Sequence, residues 1–448
     1  MNYFTTRMIR CAPLLLCGLL LCAVLPAFGD GIHREIGEYM SAQVRVNDFA
    51  GSILIANKDG ILECVRYGSA IRPCAQADRY AVGSIAKQFT AVSVLQLQAE
   101  KKLSLRDSVC RYIPDCPAVW QPITVRDLLT QTDGIPELPL MNRPRLKSAT
   151  NIFSVVNLLR TLPMEGTAGE HFRSGDSGYA VLDEVIENVS HEPYQQYLQR
   201  HIFTPLGMDG TGFAERNSRY QKNGSLTITP DDRVESSRYV EGRMYSTAED
   251  LFRWDRSFYS GALIPESLAN EMFQPQIDGQ GFGWTILNEF DRYAETQGSG
   301  LDYVSASIRR FPQSRTCIIV LSNGGGVDAA TISHDLAAIV FGKHYDIPST
   351  RRLAKIDTAV YASYAGTYLL ARQMPLRVFA EGGRLMIQGA GRSAVELLPE
   401  SETRFFVKGI DSQISFVNGP RGNAVEMVLQ QGGRVIPAFR TSDGLPTK

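Results

Sequence analysis

The chain has 448 residues, with 46 Lys and Arg against 47 Asp and Glu, and a hydrophobic fraction of 44%. That length favours two domains over one and allows a large buried core. The balanced charge and the absence of a basic run argue against nucleic acid or an anionic surface as partner.

Arg7 and Arg10, the apolar run from Ala12 to Leu25 and the small residues around Ala27-Phe28-Gly29 predict a secretory signal over residues 1–29, cleaved after Gly29. The run is short for a membrane span, so no stable span is expected after cleavage. Cys17 and Cys22 each follow a Leu, which disfavours lipidation. Residues Gly51 to Tyr67 predict a hairpin: two apolar strands separated by Asn57-Lys58-Asp59-Gly60. Next, Ile85, Phe89, Val92 and Leu95 recur at helical spacing, predicting a helix from Ser84 to about Ala99 buried on one side. Helical patterns dominate from there to about Gln276, for example Gly178 to Val189 and Pro193 to Arg200. Strands return at Tyr303 to Arg310 and Thr316 to Ser322, followed by a helix with Ile332, Leu336, Ile339 and Val340 on its apolar stripe. The pattern predicts an α+β domain: an antiparallel sheet flanked by helices and interrupted by a large helical insertion. After a linker at 346–356, seven short alternating strands between Gly366 and Gln430 predict a small β-barrel or sandwich over 357–448.

Of eight cysteines, Cys11, Cys17 and Cys22 lie in the predicted signal. In an oxidising compartment the rest are open to pairing. Cys110 and Cys116 flank a turn, and Cys64 and Cys74 flank a strand connection, so those two local pairs are the expected disulfides. Cys317, in an apolar strand, reads as a buried free thiol. No Cys or His spacing matches a metal site, and no cofactor is expected.

Ser84-Ile85-Ala86-Lys87 places a nucleophile and a base one helical turn apart, on one face. Helix dipole and first-turn amides favour negative charge developing at Ser84. A bare Ser-x-x-Lys also arises by chance, as a helix cap followed by a surface lysine. Its company makes the difference. Taken in order with Leu103 to Asp107, Ile123 to Thr130, Pro205 to Met208, Ser246 to Leu251 and Val320 to Gly325, the stretch Ala81 to Ala91 resembles the serine β-lactamase and penicillin-binding protein superfamily, in its class C β-lactamase-related branch. The resemblance covers about residues 40 to 345, which gives a β-lactamase/transpeptidase-like domain over 30–345. The C-terminal part resembles the lipocalin-like domain often appended to this branch.

Two further motifs depart from the family pattern. Phe172 to Tyr179 aligns with its second motif, with Ser174 in place of tyrosine and Asp176 in place of asparagine. The resemblance gives Ser174 a proton-relay role and Asp176 that of a polar orienter. A carboxylate at 176, however, favours Lys87 as ammonium and weakens it as a base. The third motif falls at Thr296 to Asp302, with Gln297 where relatives carry His or Lys and Ser299 where they carry Gly. Gln297 keeps hydrogen bonding but not charge, so preference for carboxylate-bearing substrates such as penicillins is expected to fall. Gln297, Gly298, Ser299 and Gly300 form the expected substrate and oxyanion edge, the amides of Ser84 and Gly300 being the oxyanion donors. Gln131-Thr132-Asp133-Gly134 stands where relatives show His-Thr-Ser-Gly.

Tyr179 matches the family's helix tyrosine and reads as core rather than as a substitute base. Gly175-Asp176-Ser177-Gly178 mimics the nucleophile loop of chymotrypsin-like proteases, but the helical centre of the chain argues against that fold. His171, the one histidine near motif two, reads as a surface residue. Two functions remain open. One is an exported serine hydrolase acting through an acyl-enzyme on a small-molecule or peptide substrate, an ester, amide or D-amino-acid peptide rather than mainly a β-lactam. The other is a catalytically impaired pseudoenzyme that binds a peptide or cell-wall ligand.

Overall fold

The computed structural model describes residues 27–68, 70–137, 152–214, 218–220, 226–228, 244–301, 304–322, 327–348, 353–370, 375–389, 394–407, 412–420, 422–431 and 434–441. The predicted signal thus lies almost wholly outside the described residues. Helix α1 spans Ala27–Asn47, so the expected cleavage after Gly29 falls in its first turn. Strands β1 (Gly51–Asn57) and β2 (Gly60–Tyr67) form the predicted hairpin, and a short β3 (Arg72–Pro73) extends it. Helix α2 (Ala86–Ala99) opens the helical region, which includes α3 (Ser177–Ser190) and α4 (Ala248–Ser257). Then come β4 (Thr285–Glu289), β5 (Arg292–Leu301), β6 (Val304–Phe311), β7 (Thr316–Ser322) and α5 (Ala329–Val340).

The seven strands make one antiparallel sheet in the order β3-β2-β1-β7-β6-β5-β4, so the first and last of them in chain order meet where Gly51 pairs with Ser322. Strand alternation sends Ile53, Ile55, Ile318 and Val320 to one face, against Ile36, Tyr39 and Met40 of α1 and Ile332 and Leu336 of α5. Leu54, Ala56, Ile319 and Leu321 face the other way, into a second core built with α2 and the helical region. Tyr39 donates to Asp335 at 2.7 Å and ties α1 to α5.

Helix α2 departs from the expected one-sided burial. Lys87, Gln88, Thr90 and Ser93 are buried along with its apolar residues, because the helix runs between the sheet and the helical insertion. Its polar side chains therefore need partners inside the protein. Trp254 donates to Gln88 at 2.8 Å, Thr90 shares a 2.7 Å hydrogen bond with Tyr194, and the Ser93 hydroxyl returns to the Phe89 carbonyl at 2.9 Å.

Cys64 with Cys74 and Cys110 with Cys116 lie at disulfide distance, as expected from the connections they flank, and Cys317 is a buried free thiol, as expected from its apolar strand. The C-terminal part is a closed barrel of eight strands, β8 to β15: Gly366–Leu370, Pro375–Glu381, Arg384–Gly389, Val395–Pro399, Arg404–Val407, Ser412–Asn418, Ala424–Gln431 and Arg434–Arg440. The eighth strand corrects the predicted seven. Pro437 interrupts its alternation, yet the strand pairs with both β14 and β8 and closes the barrel. Among the described residues no helix is long and apolar enough to cross a membrane.

Candidate active site

Ser84 does not begin an α-helix. It sits in a 3₁₀ turn, Gly83–Ile85, that leads into α2, and it is partly exposed. Lys87 lies in the first turn of α2 and is 3% exposed. Its Nζ donates to Ser84 Oγ at 3.4 Å and forms an ion pair with Asp176, whose side chain is 39% exposed. The sequence-predicted nucleophile, base and motif-two carboxylate therefore meet at one point, where the starts of α2 and α3 converge.

Tyr179 is fully buried on α3. Its hydroxyl donates to the Leu129 carbonyl at 2.8 Å, and its ring centroid lies 5.6 Å from Lys87 Nζ. A phenol engaged in this way is core, as the sequence reading has it. Ser174 is exposed on the loop before α3, and His171 is exposed three residues earlier. The protease-like Gly175-Asp176-Ser177-Gly178 run is simply the start of a helix.

Strand β5, which carries the third motif, packs against the Ser84 turn. Gln297 does not reach outward. Its Nε2 donates to the Gly283 carbonyl at 3.1 Å, and its Oε1 accepts the Gly298 amide at 2.9 Å, so both ends of the side chain serve the protein itself. Gly283 has φ +74°, and a Cβ there would come within 2.9 Å of the backbone of Lys87 and Gln88. Only glycine lets this loop lie on α2, and through it Gln297 is tied to the nucleophile's helix. Ser299 and Gly300 continue β5 in register with Ala306 and Ser305.

The segment Gln131 to Glu137 contributes more than its motif suggests. Gln131, at φ +55°, accepts the Gly175 amide at 3.1 Å. Asp133 is buried beneath Gly178, and burial pushes its carboxyl up to about 7 against the pull of the Ile135 amide, with Glu137 and Asp127 adding to the rise. Glu137 accepts the amides of Asp176 and Ser177 at 2.8 and 2.9 Å. Sequence reasoning registered Gln131 and Asp133 only as departures from a motif, and it gave no role to Glu137. Nothing local marks a side chain whose partners lie 39 and 40 residues away. One three-residue grouping among the described residues has metal-ligand spacing, Cys64, Cys74 and Glu249, and its two sulfurs are already paired with each other.

A family profile described as Beta-lactamase matches residues 46–340, and one described as a domain of unknown function (DUF3471) matches residues 350–442. The chain is 28% identical over 436 residues to "Penicillin-binding protein 4*" of Bacillus subtilis (strain 168), covering 88% of this chain and 96% of that protein. Among solved structures it is similar to an octameric penicillin-binding protein homologue from Pyrococcus abyssi, with a TM-score of 0.60 at 21% identity over 91% of this chain and 99% of that one. A D-stereospecific amidohydrolase from Streptomyces sp. aligns with a TM-score of 0.55 at 21% identity over 68% of this chain and 99% of that one.

Proposed function

The chain belongs to the Beta-lactamase family of serine hydrolases, and from that premise we propose that it hydrolyses an ester, amide or D-amino-acid peptide through an acyl-enzyme on Ser84. The observation that carries this reading is the convergence of Ser84, Lys87 and Asp176 beside β5. In the first step Ser84 Oγ bonds to the substrate carbonyl carbon and gives its proton to the Lys87 amine, while the carbonyl electron pair moves to oxygen. The amides of Ser84 and Gly300 are the proposed donors to that oxyanion. As the bond to the leaving group breaks, the proton passes from Lys87, through Ser174, to the departing atom. Water then repeats the sequence on the acyl-ester and releases the acid.

The ion pair sets the pace. The Asp176 carboxylate in contact with Lys87 favours the ammonium form, from which the amine must shed a proton to solvent before it can accept one, so slow turnover at neutral pH is expected. Asp176 orients the base and restrains it. The Lys87–Asp176 contact also supports a second reading, a pseudoenzyme that keeps the cleft to bind a peptide or cell-wall ligand without turnover.

Gln297, turned onto Gly283, offers no cation to a substrate carboxylate. A D-amino-acid ester or amide without a free carboxylate should therefore acylate Ser84 at least about tenfold faster than a penicillin, the scale of one charge-assisted hydrogen bond. Competition between the two classes for Ser84 measures this, and faster acylation by penicillin contradicts it. The neighbour named as a D-stereospecific amidohydrolase supports the same direction. Export through a signal at 1–29, a hydrolase domain at 30–345, a linker at 346–356 and an appended β domain at 357–448 complete the proposal.

A further inference from the structure

Aspartate is among the preferred residues at a helix N-cap, where its carboxylate accepts amides of the first turn from an extended backbone. Asp176 occupies the N-cap of α3 and does neither. Its backbone is at φ −107°, ψ −17°, and its side chain makes no cap hydrogen bond. The carboxylate is instead turned to Lys87.

The amides leading into the helix are held by another segment. Glu137 Oε1 accepts the Asp176 amide at 2.8 Å and the Ser177 amide at 2.9 Å, and Gln131 Oε1 accepts the Gly175 amide at 3.1 Å. The Arg173 amide donates to the Gln131 carbonyl at 2.9 Å. Four of five successive amides, 173 and 175 to 177, are thus held by two residues of the 131–137 segment. The fit is close, since a Cβ on residue 175 would come within 2.1 Å of Glu137 Oε1. Orphan donors at a helix start require acceptors, and Glu137 supplies one for the amides of Asp176 and Ser177, which pins the Asp176 backbone in its non-extended conformation.

We propose that Glu137 is a positioning residue: by holding the Asp176 and Ser177 amides it fixes the non-extended backbone from which the Asp176 carboxylate reaches Lys87, and so restrains the catalytic base. This rests on the reading of Ser84 and Lys87 as nucleophile and base. Glu137 touches neither of them among its recorded contacts and acts through the backbone of Asp176. Loss of its carboxylate frees the Asp176 backbone, which can then become extended, and the Asp176 carboxylate leaves Lys87 to cap the amides of Gly178 and Tyr179.

The test is a set of full-chain variants labelled at Ser84 with a fluorophosphonate, together with crystal structures. Glu137→Ala should lower the melting temperature yet raise the labelling rate severalfold towards that of Asp176→Asn. Glu137→Gln, whose side-chain carbonyl still accepts both amides, should return to the slow rate. In an Asp176→Asn background, Glu137→Ala should leave the rate unchanged, because nothing remains for it to position. Loss of a merely structural cap lowers stability without accelerating the nucleophile. The proposal is overturned if Glu137→Ala slows labelling by the same factor in both backgrounds, or if its crystal structure still shows Asp176 on Lys87. If no variant labels at Ser84, the hydrolase reading fails on that ground, and the position of Asp176 in the Glu137→Ala structure still decides the positioning role.

Discussion

Asp176→Asn raises the rate at which Ser84 reacts at neutral pH by at least about tenfold. The expectation follows from what surrounds Lys87. The lysine is 3% exposed, and burial by itself disfavours the ammonium form. The carboxylate in contact with it works the other way and favours the charge. Asparagine keeps the shape and the hydrogen bonding and removes the charge, so the amine loses its proton more readily and becomes a better base. Tenfold corresponds to about 1.4 kcal/mol of altered preference between the two protonation states. Pseudo-first-order labelling by a small activated ester reads the change directly. A fall of similar size would show instead that Asp176 itself takes the proton passed on by Lys87, and that the carboxylate is a participant rather than a restraint.

Arg310→Leu is the most damaging substitution expected in the hydrolase fold. Arg310 lies on β6 opposite Glu295 of β5, two residues from Gln297, and is 2% exposed. It donates to Asp255 Oδ1 at 2.8 Å and to Glu295 Oε2 at 2.6 Å. The rings of Phe258, Tyr259, Phe273 and Trp284 surround its guanidinium with centroids at 4.9 to 5.7 Å. Burial drives Glu295 up to about 7 and raises Asp255 as well, in both cases against the pull of Arg310. Removing the arginine leaves the buried Glu295 without its counter-ion and Asp255 with Arg256 at 3.7 Å, a loss of about 3 to 5 kcal/mol and roughly 10 °C in melting temperature for a domain of this size.

The pH dependence has a definite sign. A carboxyl whose folded value is raised favours the folded state below its unfolded value, and that contribution disappears as pH rises through the folded value. For Glu295 the window runs from the ordinary glutamate value of 4.5 to about 7. Arg310→Leu should therefore cost less at pH 5, where Glu295 is neutral, than at pH 8. Glu295→Gln should flatten the decline in stability across the same interval. Equal losses at both pH values in thermal unfolding would contradict this account of the cluster.

Much of the fold was legible in the sequence because it depends on short-range patterns. Period-two alternation marks the 51–67 hairpin and the strands up to Ser322, and helical spacing marks α2, α3 and α5. The contact between Ser84 and Lys87 follows from a three-residue spacing, kept although Ser84 sits in the 3₁₀ turn ahead of α2, and Asp176 aligned with a motif position. The parts that escaped are set by distant contacts. Burial of Lys87, Gln88, Thr90 and Ser93 depends on α2 being enclosed on all sides, which the stripe of Ile85, Phe89, Val92 and Leu95 does not reveal. Gln297 turns inward because Gly283 brings a carbonyl onto α2, and Glu137 finds its partners some forty positions away. The strand at Arg434–Arg440 was hidden by Pro437, which is tolerated where a ladder bond is not needed.

The central claim is that Ser84 is an activated nucleophile. It is tested most directly by the intact mass of residues 30–448 after exposure to a fluorophosphonate, a small activated ester and a penicillin, with Ser84→Ala alongside. The account predicts one adduct per chain from the fluorophosphonate and the ester, less from the penicillin, and none in Ser84→Ala. A folded protein that takes up no probe, or one whose adduct persists in Ser84→Ala, contradicts it, and the first of these results would favour a binding protein that has kept only the cleft.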